Sequence, residues 1–176
     1  MESEGLLHVY YGNGKGKTSA ALGLALRAYG QGFQVVILQF FKGSFSGELA
    51  AFEKLPGIKV LRGQNGGKFL SAMSQDEKET MRCTHDCILR EALALAGQGE
   101  CDLLVLDEAL DACRLSMLDE NLLADLLKCR PRGVEVVITG HQVVDWIMET
   151  ADYVTEMVKH KHPYDRGIKA RKGIEY

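Results

Sequence analysis

The sequence predicts an α/β protein in which helices cover both faces of a mainly parallel sheet. Short apolar runs of strand length alternate along the chain with longer segments of helical periodicity. Such helical segments can connect neighbouring parallel strands, which a hairpin turn is too short to do. With 176 residues, the chain can form one complete core, so we expect a single domain spanning residues 1–176.

Six apolar runs are predicted strands, and four other segments are predicted helices. Ser74 and Glu77 have the spacing of a capping box, which predicts the start of a helix. Asp119 is a candidate N-cap for a later helix that ends before Pro131. The predicted strands are residues 6–10, 35–41, 58–61, 103–106, 134–138 and 153–158, and the predicted helices are residues 17–29, 75–96, 120–130 and 142–150.

The charge balance of the chain argues against some classes of partner. The chain has 21 basic and 24 acidic residues and a formal net charge of −3, so no broad basic field predicts binding to nucleic acid or to an anionic membrane. Cations are concentrated locally in KHKHPYDRGIKARK, residues 159–172. That segment either contacts an anionic ligand or forms a solvated surface, and composition alone favours the surface.

Cysteine usage and the amino-terminal residues indicate a cytoplasmic protein. The 5 cysteines form an odd set without the paired spacing of a zinc site, so reduced thiols are expected. The first residues, MESEGLLHVYYG, lack the charged start and long apolar stretch of a signal peptide. No apolar run in the sequence has the length of a membrane span.

The segment GNGKGKTS lies between a predicted strand and a predicted helix, as a phosphate-binding loop requires. Its glycines let backbone N–H groups point toward a bound anion, and the helix directs its positive dipole end there. Lys17 adds a charge, and Thr18 adds a hydroxyl for Mg²⁺. We predict a P-loop NTPase-like (RecA-like) protein that binds a nucleoside triphosphate. The predicted triphosphate ligands are Gly12, Asn13, Gly14, Lys15, Gly16, Lys17, Thr18 and Ser19.

This loop differs from the usual spacing G-x-x-x-x-G-K-[ST], which would place a glycine at position 11. The chain has Tyr11 there, and its first glycine comes one residue later. The alternative interpretation is a glycine-rich turn with an incidental lysine. The strand before the segment and the helix after it argue against that alternative.

A second motif, DLLVLDE, has the pattern of a buried strand that ends in two carboxylates. We expect this strand to lie beside the first strand, with its end facing the phosphates. Asp107 or Glu108 would then hold Mg²⁺ directly or through water, because Mg²⁺ prefers oxygen ligands. The pair is also compatible with an ATPase whose glutamate positions a water molecule, and with a helix N-cap beside a surface acid.

Three further polar residues are expected at the same edge of the sheet. Gln39 and Lys42 lie at the end of the second predicted strand, and His141 follows the strand of residues 134–138. The carboxyl ends of parallel strands form the ligand-binding edge of such sheets. Each of these residues therefore either contacts the ligand or belongs to an ordinary loop.

With those residues in place, nearly the whole chain resembles the phosphate-loop type of cob(I)alamin adenosyltransferases, also called corrinoid adenosyltransferases. The displaced first glycine looks like the family's own loop. The first and last of the matching blocks are the specific ones. The blocks are GNGKGKTSAALGLALRAYGQG, VVILQFFKG with the following Gly47 and Glu48, DLLVLDE, VEVVITG and ADYVTEMVKHKHPYDRGIKARKGIEY.

The resemblance implies an alkylation in which Co(I) of a reduced corrinoid attacks the 5′ carbon of ATP. The products are adenosylcobalamin and intact triphosphate. A Co(I) nucleophile brings its own electron pair, so the protein has only to position the reactants and stabilise the leaving group. The resemblance also implies bound Mg²⁺ or Mn²⁺, and ATP with reversed polarity in the loop relative to kinases.

Carried over residue by residue, the resemblance assigns the metal to Thr18 and Glu108, with Asp107 in support. Lys17 would stabilise the leaving triphosphate as a catalytic residue. Arg27 of the first helix would lie near the nucleotide, although an exposed helix residue is the alternative. Residues of the terminal block would border the active site, with an ordered tail as the other interpretation: His162, Pro163, Tyr164, Asp165, Gly167 and Arg171.

The chain departs from the family pattern at two places. Many members have an aromatic-rich GFTW-like segment after the third strand, where this chain reads GQNGGKF. Phe69 is the aromatic candidate for displacing the lower axial ligand of cobalt, and the nearby glycines suit either a mobile lid or an ordinary loop. An arginine commonly follows the TG of the fifth strand, where this chain has His141.

The resemblance further implies a flavoprotein reductant and a homodimer. Two other functions stay open from the sequence. One is a small P-loop ATPase or kinase that uses Asp107 and Glu108, and the other is an ATP-dependent corrinoid-binding protein without turnover. The products distinguish these functions from the adenosyltransferase. The adenosyltransferase releases triphosphate, the ATPase or kinase releases phosphate or ADP, and the binding protein releases no product.

Overall fold

The computed structural model describes residues 4–43, 46–63, 68 and 70–175, and its centre is a six-stranded sheet. The strands are β1 (Leu7–Tyr11), β2 (Val35–Gln39), β3 (Ile58–Arg62), β4 (Leu103–Asp107), β5 (Glu135–Gly140) and β6 (Tyr153–Glu156). Their order is β3-β2-β4-β5-β1-β6, and every neighbouring pair is parallel. The carboxyl ends of all six strands therefore lie at one edge of the sheet.

Helices pack on both faces of this sheet, as the sequence predicts. In the described residues they are α1 (Lys17–Tyr29), α2 (Gly47–Phe52), α3 (Gln75–Gly97), α4 (Ala109–Arg114), α5 (Glu120–Cys129) and α6 (Asp145–Thr150). One face packs against α1 and α2 through Ala21, Ala25 and Phe52. The opposite face packs against the other four helices, with Leu89 and Leu126 among the buried side chains. Both faces of the central strands are buried and apolar for this reason. No helix among these is long and apolar enough to cross a membrane.

Most element boundaries agree with the sequence prediction to within three residues. The capping box of α3 is confirmed, since Ser74 Oγ accepts from the Glu77 N–H and Glu77 Oε2 accepts from the Ser74 N–H. The second strand ends at Gln39 because Phe41 has a φ of 59°, which turns the chain out of the sheet. The sequence analysis missed α2 and α4, because 6 residues each are too few to show helical periodicity.

One predicted neighbour relation is wrong. The strand that ends in Asp107 does not lie beside the first strand, because β5 lies between β4 and β1 and pairs with both. Asp107 nevertheless reaches the start of α1, where Thr18 Oγ1 donates to Asp107 Oδ1 at 2.8 Å. Thr139 of β5 fills the space between them and donates to the same oxygen at 2.8 Å.

Candidate nucleotide-binding site

The loop between β1 and α1 lies tightly against the chain that follows β6. A Cβ on Gly12 would lie 2.5 Å from the Met157 carbonyl oxygen, and a Cβ on Gly14 would lie 2.6 Å from the same atom. Gly12 and Gly16 also have φ values of 112° and 114°, which residues with a side chain rarely adopt. Packing and backbone conformation together therefore require glycine at these three positions.

The amino end of α1 is open to an anion. Gly16 precedes the helix without a side-chain cap, and the first turn contains no acidic residue. The N–H groups of a first turn have no intrahelical acceptor, so they and the helix dipole favour an anionic ligand. The Gly14 N–H is used inside the protein, in a 2.6 Å hydrogen bond to the Met157 carbonyl. The first turn of α1 is thus the part of the loop that is best placed to bind phosphate.

Lys17, the first residue of α1, folds back over the loop. Its ammonium donates to the carbonyl oxygens of Gly12 at 2.7 Å and of Gly14 at 2.9 Å. These partners are neutral, so the positive charge of Lys17 is not cancelled by an acid and acts on any anion that enters the loop.

Asp107 is the centre of the hydrogen-bond network at the end of β4. Its side chain is fully buried, and Oδ1 accepts from the hydroxyls of Thr18 and Thr139 at 2.8 Å each. Oδ2 accepts from the Lys42 ammonium at 2.6 Å. These three donors satisfy a buried charge that would otherwise be costly. Lys42 is thereby placed in the site. The sequence analysis missed Thr139, although a polar residue near the end of an apolar strand is a signal that could have identified it as a site residue.

Glu108 follows β4 in a left-handed conformation with a φ of 68°. Its N–H donates to Thr139 Oγ1 at 2.9 Å, and its side chain is partly exposed. Burial, followed by the negative charges of Asp107 and Asp111, raises the pKa of the Glu108 carboxyl. The surroundings therefore disfavour the ionised carboxylate, and a cation bound beside it would relieve that cost.

His141 and Asp111 form a pair beside Glu108. One carboxylate oxygen of Asp111, Oδ2, accepts from both the N–H and Nδ1 of His141, at 2.8 Å each. Burial alone would raise the pKa of Asp111, but the hydrogen bonds from His141 and then from Arg114 hold it below its usual value. The Glu108 carboxylate lies 4.0 Å from His141 Nδ1. The sequence analysis missed Asp111, which lies on α4, itself unpredicted.

Gln39 and Glu48 lie near Lys42, on the side of the site that faces α2. Gln39 is fully buried, and its side-chain amide lies beside the Glu48 carboxyl. Burial would raise the pKa of Glu48, but its own backbone N–H, Ser46, the charge of Lys42 and the Gln39 amide lower it. Glu48 is therefore an ionised carboxylate beside the site. The sequence analysis names Glu48 only as part of one of the blocks that resemble the family.

The chain after β6 folds over the phosphate loop. Its backbone at Lys159 donates to Asn13 Oδ1 at 2.9 Å, and Glu175 Oε1 accepts from Lys15 Nζ at 3.0 Å. Arg171 is joined to that contact through its own hydrogen bonds to Glu175. A cavity of about 450 Å³ lies between this segment and the loop. It is lined by Thr18, Ser19, Leu22, Lys42, Gly47, Glu48, Gly173, Ile174 and Glu175.

Two other residues of the terminal block lie apart from that cavity. His162 and Asp165 line a separate cavity of about 610 Å³ within residues 160–166. Asp165 pairs with Lys159 at 3.1 Å, and His162 Nδ1 accepts from the Tyr164 N–H at 3.2 Å. The structure therefore places them on the tail, with contacts within the tail itself.

Arg27 is not brought to the nucleotide site. It lies in the last turn of α1 and lines a cavity of about 790 Å³ with Leu103 and Glu135, the first residues of β4 and β5. Arg27 lies ten positions after Lys17 on the same helix, which is about 15 Å along the axis. That distance puts Arg27 at the opposite edge of the sheet from Lys17, and the contact between Arg27 and the nucleotide stays a prediction. Phe69 and residues 64–67 are outside the described residues, so the corrinoid pocket proposed from them stays a prediction.

The fold and the site together define a P-loop nucleotide-binding protein of the RecA-like class. Its glycine-rich loop joins a parallel strand to a helix, and a buried acid at a strand end contacts the threonine of that helix. The solved structure of the KaiC-like protein PH0186 from Pyrococcus horikoshii OT3 is similar, with a TM-score of 0.57 and 18% identity. The similarity covers 90% of this chain and 75% of that chain, and it confirms the fold class.

Within that class, the chain belongs to the ATP:corrinoid adenosyltransferase family, which is a family of transferases. The family model for ATP:corrinoid adenosyltransferase BtuR/CobO/CobP matches residues 3–176. The corrinoid adenosyltransferase of Pseudomonas aeruginosa is 36% identical, over 99% of this chain and 85% of that protein. Those of Escherichia coli K12 and Salmonella typhimurium, the latter named CobA, are 34% identical over 100% of this chain and 88% of each protein. The resemblance read from the sequence is thereby confirmed.

Proposed function

We propose that this chain transfers the 5′-deoxyadenosyl group of ATP to the Co(I) centre of a corrinoid such as cob(I)alamin. The cobalt electron pair forms the Co–C5′ bond, and the C5′–O bond breaks with its electrons going to the triphosphate. The observation that carries the proposal is the open amino end of α1 beside Lys17. That arrangement stabilises the charge that develops on a polyphosphate leaving group.

The residues of the loop have distinct tasks in this proposal. Lys17 and the first N–H groups of α1 stabilise the departing triphosphate, and Lys15 adds a second positive charge at the rim. Lys42 is already paired with Asp107 at 2.6 Å, so it supports the site electrostatically from within that ion pair. Because the nucleophile brings its own electron pair, none of these residues has to act as a general base.

A divalent cation, Mg²⁺ or Mn²⁺, fits the residues at the end of β4. Thr18, Asp107 and Glu108 offer the oxygen ligands that such ions prefer. The raised pKa of Glu108 shows a carboxylate whose charge a cation would stabilise. We assign cation binding to Thr18 and Glu108, with Asp107 holding Thr18 in place. The cation would supply additional neutralisation of the triphosphate charge.

Three finer points rest on the family resemblance. A flavoprotein is the proposed source of the electron that forms Co(I), and a homodimer in the cytoplasm is the proposed state of the enzyme. Phe69 is the proposed residue that displaces the lower axial ligand. Phe69→Ala should spare a reaction that starts with chemically reduced Co(I) and impair one that starts from Co(II). Equal losses in the two assays would contradict the displacement role.

The proposed function is tested by anaerobic incubation of the full chain with Mg-ATP and chemically reduced cob(I)alamin. The cobalt absorption spectrum reports adenosylcobalamin, and a separate assay measures triphosphate. We expect the two products in equal amounts, with a lower rate when EDTA removes the divalent cation. Phosphate or ADP with an unchanged corrinoid would indicate an ATPase or kinase. Binding of both ligands without any product would indicate a delivery or sensing protein.

A further inference from the structure

The last described residues place a carboxylate on a cation of the phosphate loop. Glu175 Oε1 accepts from Lys15 Nζ at 3.0 Å and from Arg171 Nη2 at 3.0 Å. Its other oxygen accepts from the Arg171 backbone N–H at 2.7 Å and from Arg171 Nε at 3.1 Å. The hydrogen bonds from Arg171, followed by the one from Lys15, lower the pKa of Glu175 to about 2. At neutral pH this group is therefore an anion held against the loop.

Three lysines around the loop have internal partners of different kinds. Lys17 donates to two neutral carbonyls within the loop, and Lys42 pairs with Asp107 at the end of a central strand. Lys15 instead pairs with an acid on the terminal segment. Among the partners of these three lysines, Glu175 lies on neither a strand nor the phosphate loop. It can therefore move away without disturbing either of them.

The segment that carries Glu175 also forms part of the cavity beside the loop. Gly173, Ile174 and Glu175 form one wall of the cavity of about 450 Å³, and Thr18 and Ser19 lie on another. Ile174 is 61% exposed, and the N–H groups of Ile174 and Glu175 bond to the nearby Arg171 carbonyl. These backbone bonds are local to the segment. Among the contacts named here, the Lys15–Glu175 ion pair is the one that joins this wall to the phosphate loop.

We propose that Glu175 is an internal competitor of the triphosphate for Lys15. In the ligand-free chain it neutralises Lys15 and holds the terminal segment against the phosphate loop. A triphosphate carries several negative charges, so it takes over Lys15 and repels the Glu175 carboxylate. Glu175 then withdraws with Arg171, and the segment of residues 171–175 opens. The proposal rests on the triphosphate-binding part of the proposed function and does not require adenosyl transfer.

The first test measures binding of inorganic tripolyphosphate with Mg²⁺ to the full chain by isothermal titration calorimetry. Glu175→Gln removes the charge of the competitor and keeps its size. We expect its Kd to be about 3–5-fold lower than that of the unchanged chain, the upper part of the range for an exposed charge contact. Glu100→Gln, at an exposed acid after α3, alters the net charge equally. It should leave the Kd within about twofold, because screening removes distant surface charges.

Two further measurements separate competition from other effects of the substitution. In a Lys15→Ala background, Glu175→Gln should no longer tighten binding, because the residue for which the two anions compete is absent. Hydrogen exchange of the amides in residues 171–175 should become faster when tripolyphosphate binds, because the segment opens.

The opposite results overturn the competitor role. Unchanged or weaker tripolyphosphate binding by Glu175→Gln, or slower exchange in the segment on binding, would show that the tail clamps the ligand or ignores it. Absence of tripolyphosphate binding by every variant would overturn both this proposal and the proposed function. Tripolyphosphate binding without adenosyl transfer to cob(I)alamin would overturn the activity and leave the competitor role intact.

Discussion

Asp107 and Glu175 are two carboxylates that each hold a lysine of the nucleotide site, and their surroundings differ. Asp107 is fully buried and satisfies three donors at the centre of the sheet edge. Glu175 lies on the terminal segment, and the side chains of its partners Lys15 and Arg171 are 50% and 60% exposed. A buried carboxylate is costly to leave unpaired, whereas a surface ion pair is easily exchanged. The same chemical group is therefore part of the fold in one place and a displaceable contact in the other.

The largest expected effect on stability comes from removing Asp107, the buried one of these two carboxylates. Asp107→Ala would leave the Lys42 ammonium and two hydroxyls without their shared acceptor. We expect a loss of about 3–5 kcal/mol in the free energy of unfolding, as for other broken buried pairs. Urea denaturation measures it, with Asp125→Ala, an exposed acid of α5, as the matched control. A loss as small as that of the control would show that the core does not depend on this network.

Substitution of Lys17, whose partners are neutral, tests whether a site residue can matter for activity and not for stability. Lys17→Ala should lower the rate of adenosyl transfer by about 10²–10³-fold, the usual effect of losing a contact to a developing anion. The free energy of unfolding should change by less than about 0.5 kcal/mol, because the side chain is part-buried and pairs only with loop carbonyls. Lys54→Ala, at an exposed lysine, is the control. Near-normal turnover would remove Lys17 from its catalytic role.

Thr139 shows how much of the Asp107 network depends on the strand between β4 and β1. Thr139→Val keeps the side-chain shape and removes the hydroxyl that donates to Asp107 and accepts from the Glu108 N–H. We expect a loss of about 1–2 kcal/mol, since both groups remain buried. Thr155→Val on the exposed edge strand β6 is the control for the same substitution. If the two variants have equal urea midpoints, the hydroxyl contributes nothing to the network.

Substitution of Glu108 should change the stability of the protein in the opposite direction to substitution of Asp107. Because the pKa of its carboxyl is raised in the fold, the ionised form destabilises the ligand-free protein. Glu108→Gln should therefore stabilise that state at neutral pH by about 0.5–1 kcal/mol, the size of a typical single stabilising substitution. The gain should shrink as the pH falls through the raised pKa of Glu108 and disappear below 4.5, where the carboxyl is protonated in both the folded and the unfolded state. The same variant should bind Mg-ATP more weakly, and stronger binding would contradict its role as a metal ligand.

The smallest expected effect on stability belongs to Glu175. Glu175→Gln should leave the urea midpoint of the ligand-free chain unchanged within error, although it changes tripolyphosphate affinity. A clear loss of stability would show that the terminal segment is part of the core structure, and the contrast with Asp107 would then disappear.

Local sequence patterns predict much of the site. The glycines of the loop, the start of α1 at Lys17 and the acid that ends β4 are all recognisable within a few residues. Lys42 is expected at the same edge and is found there, paired with Asp107. Thr139 and Asp111 were missed because their importance comes from partners that are 32 and 30 positions away in the chain.

The amino-acid sequence alone identifies all six strands, four of the helices and the glycine-rich loop. It could do so because periods of 2 and 3.6 residues, glycine conformations and helix caps are set by neighbouring residues. Only the tertiary structure decided that β5 separates β4 from β1, that Arg27 lies at the far edge, and that the tail covers the loop. These features depend on contacts such as Lys15–Glu175, which joins residues 160 positions apart. No local pattern encodes such a contact, because it forms only when the whole sheet has been assembled.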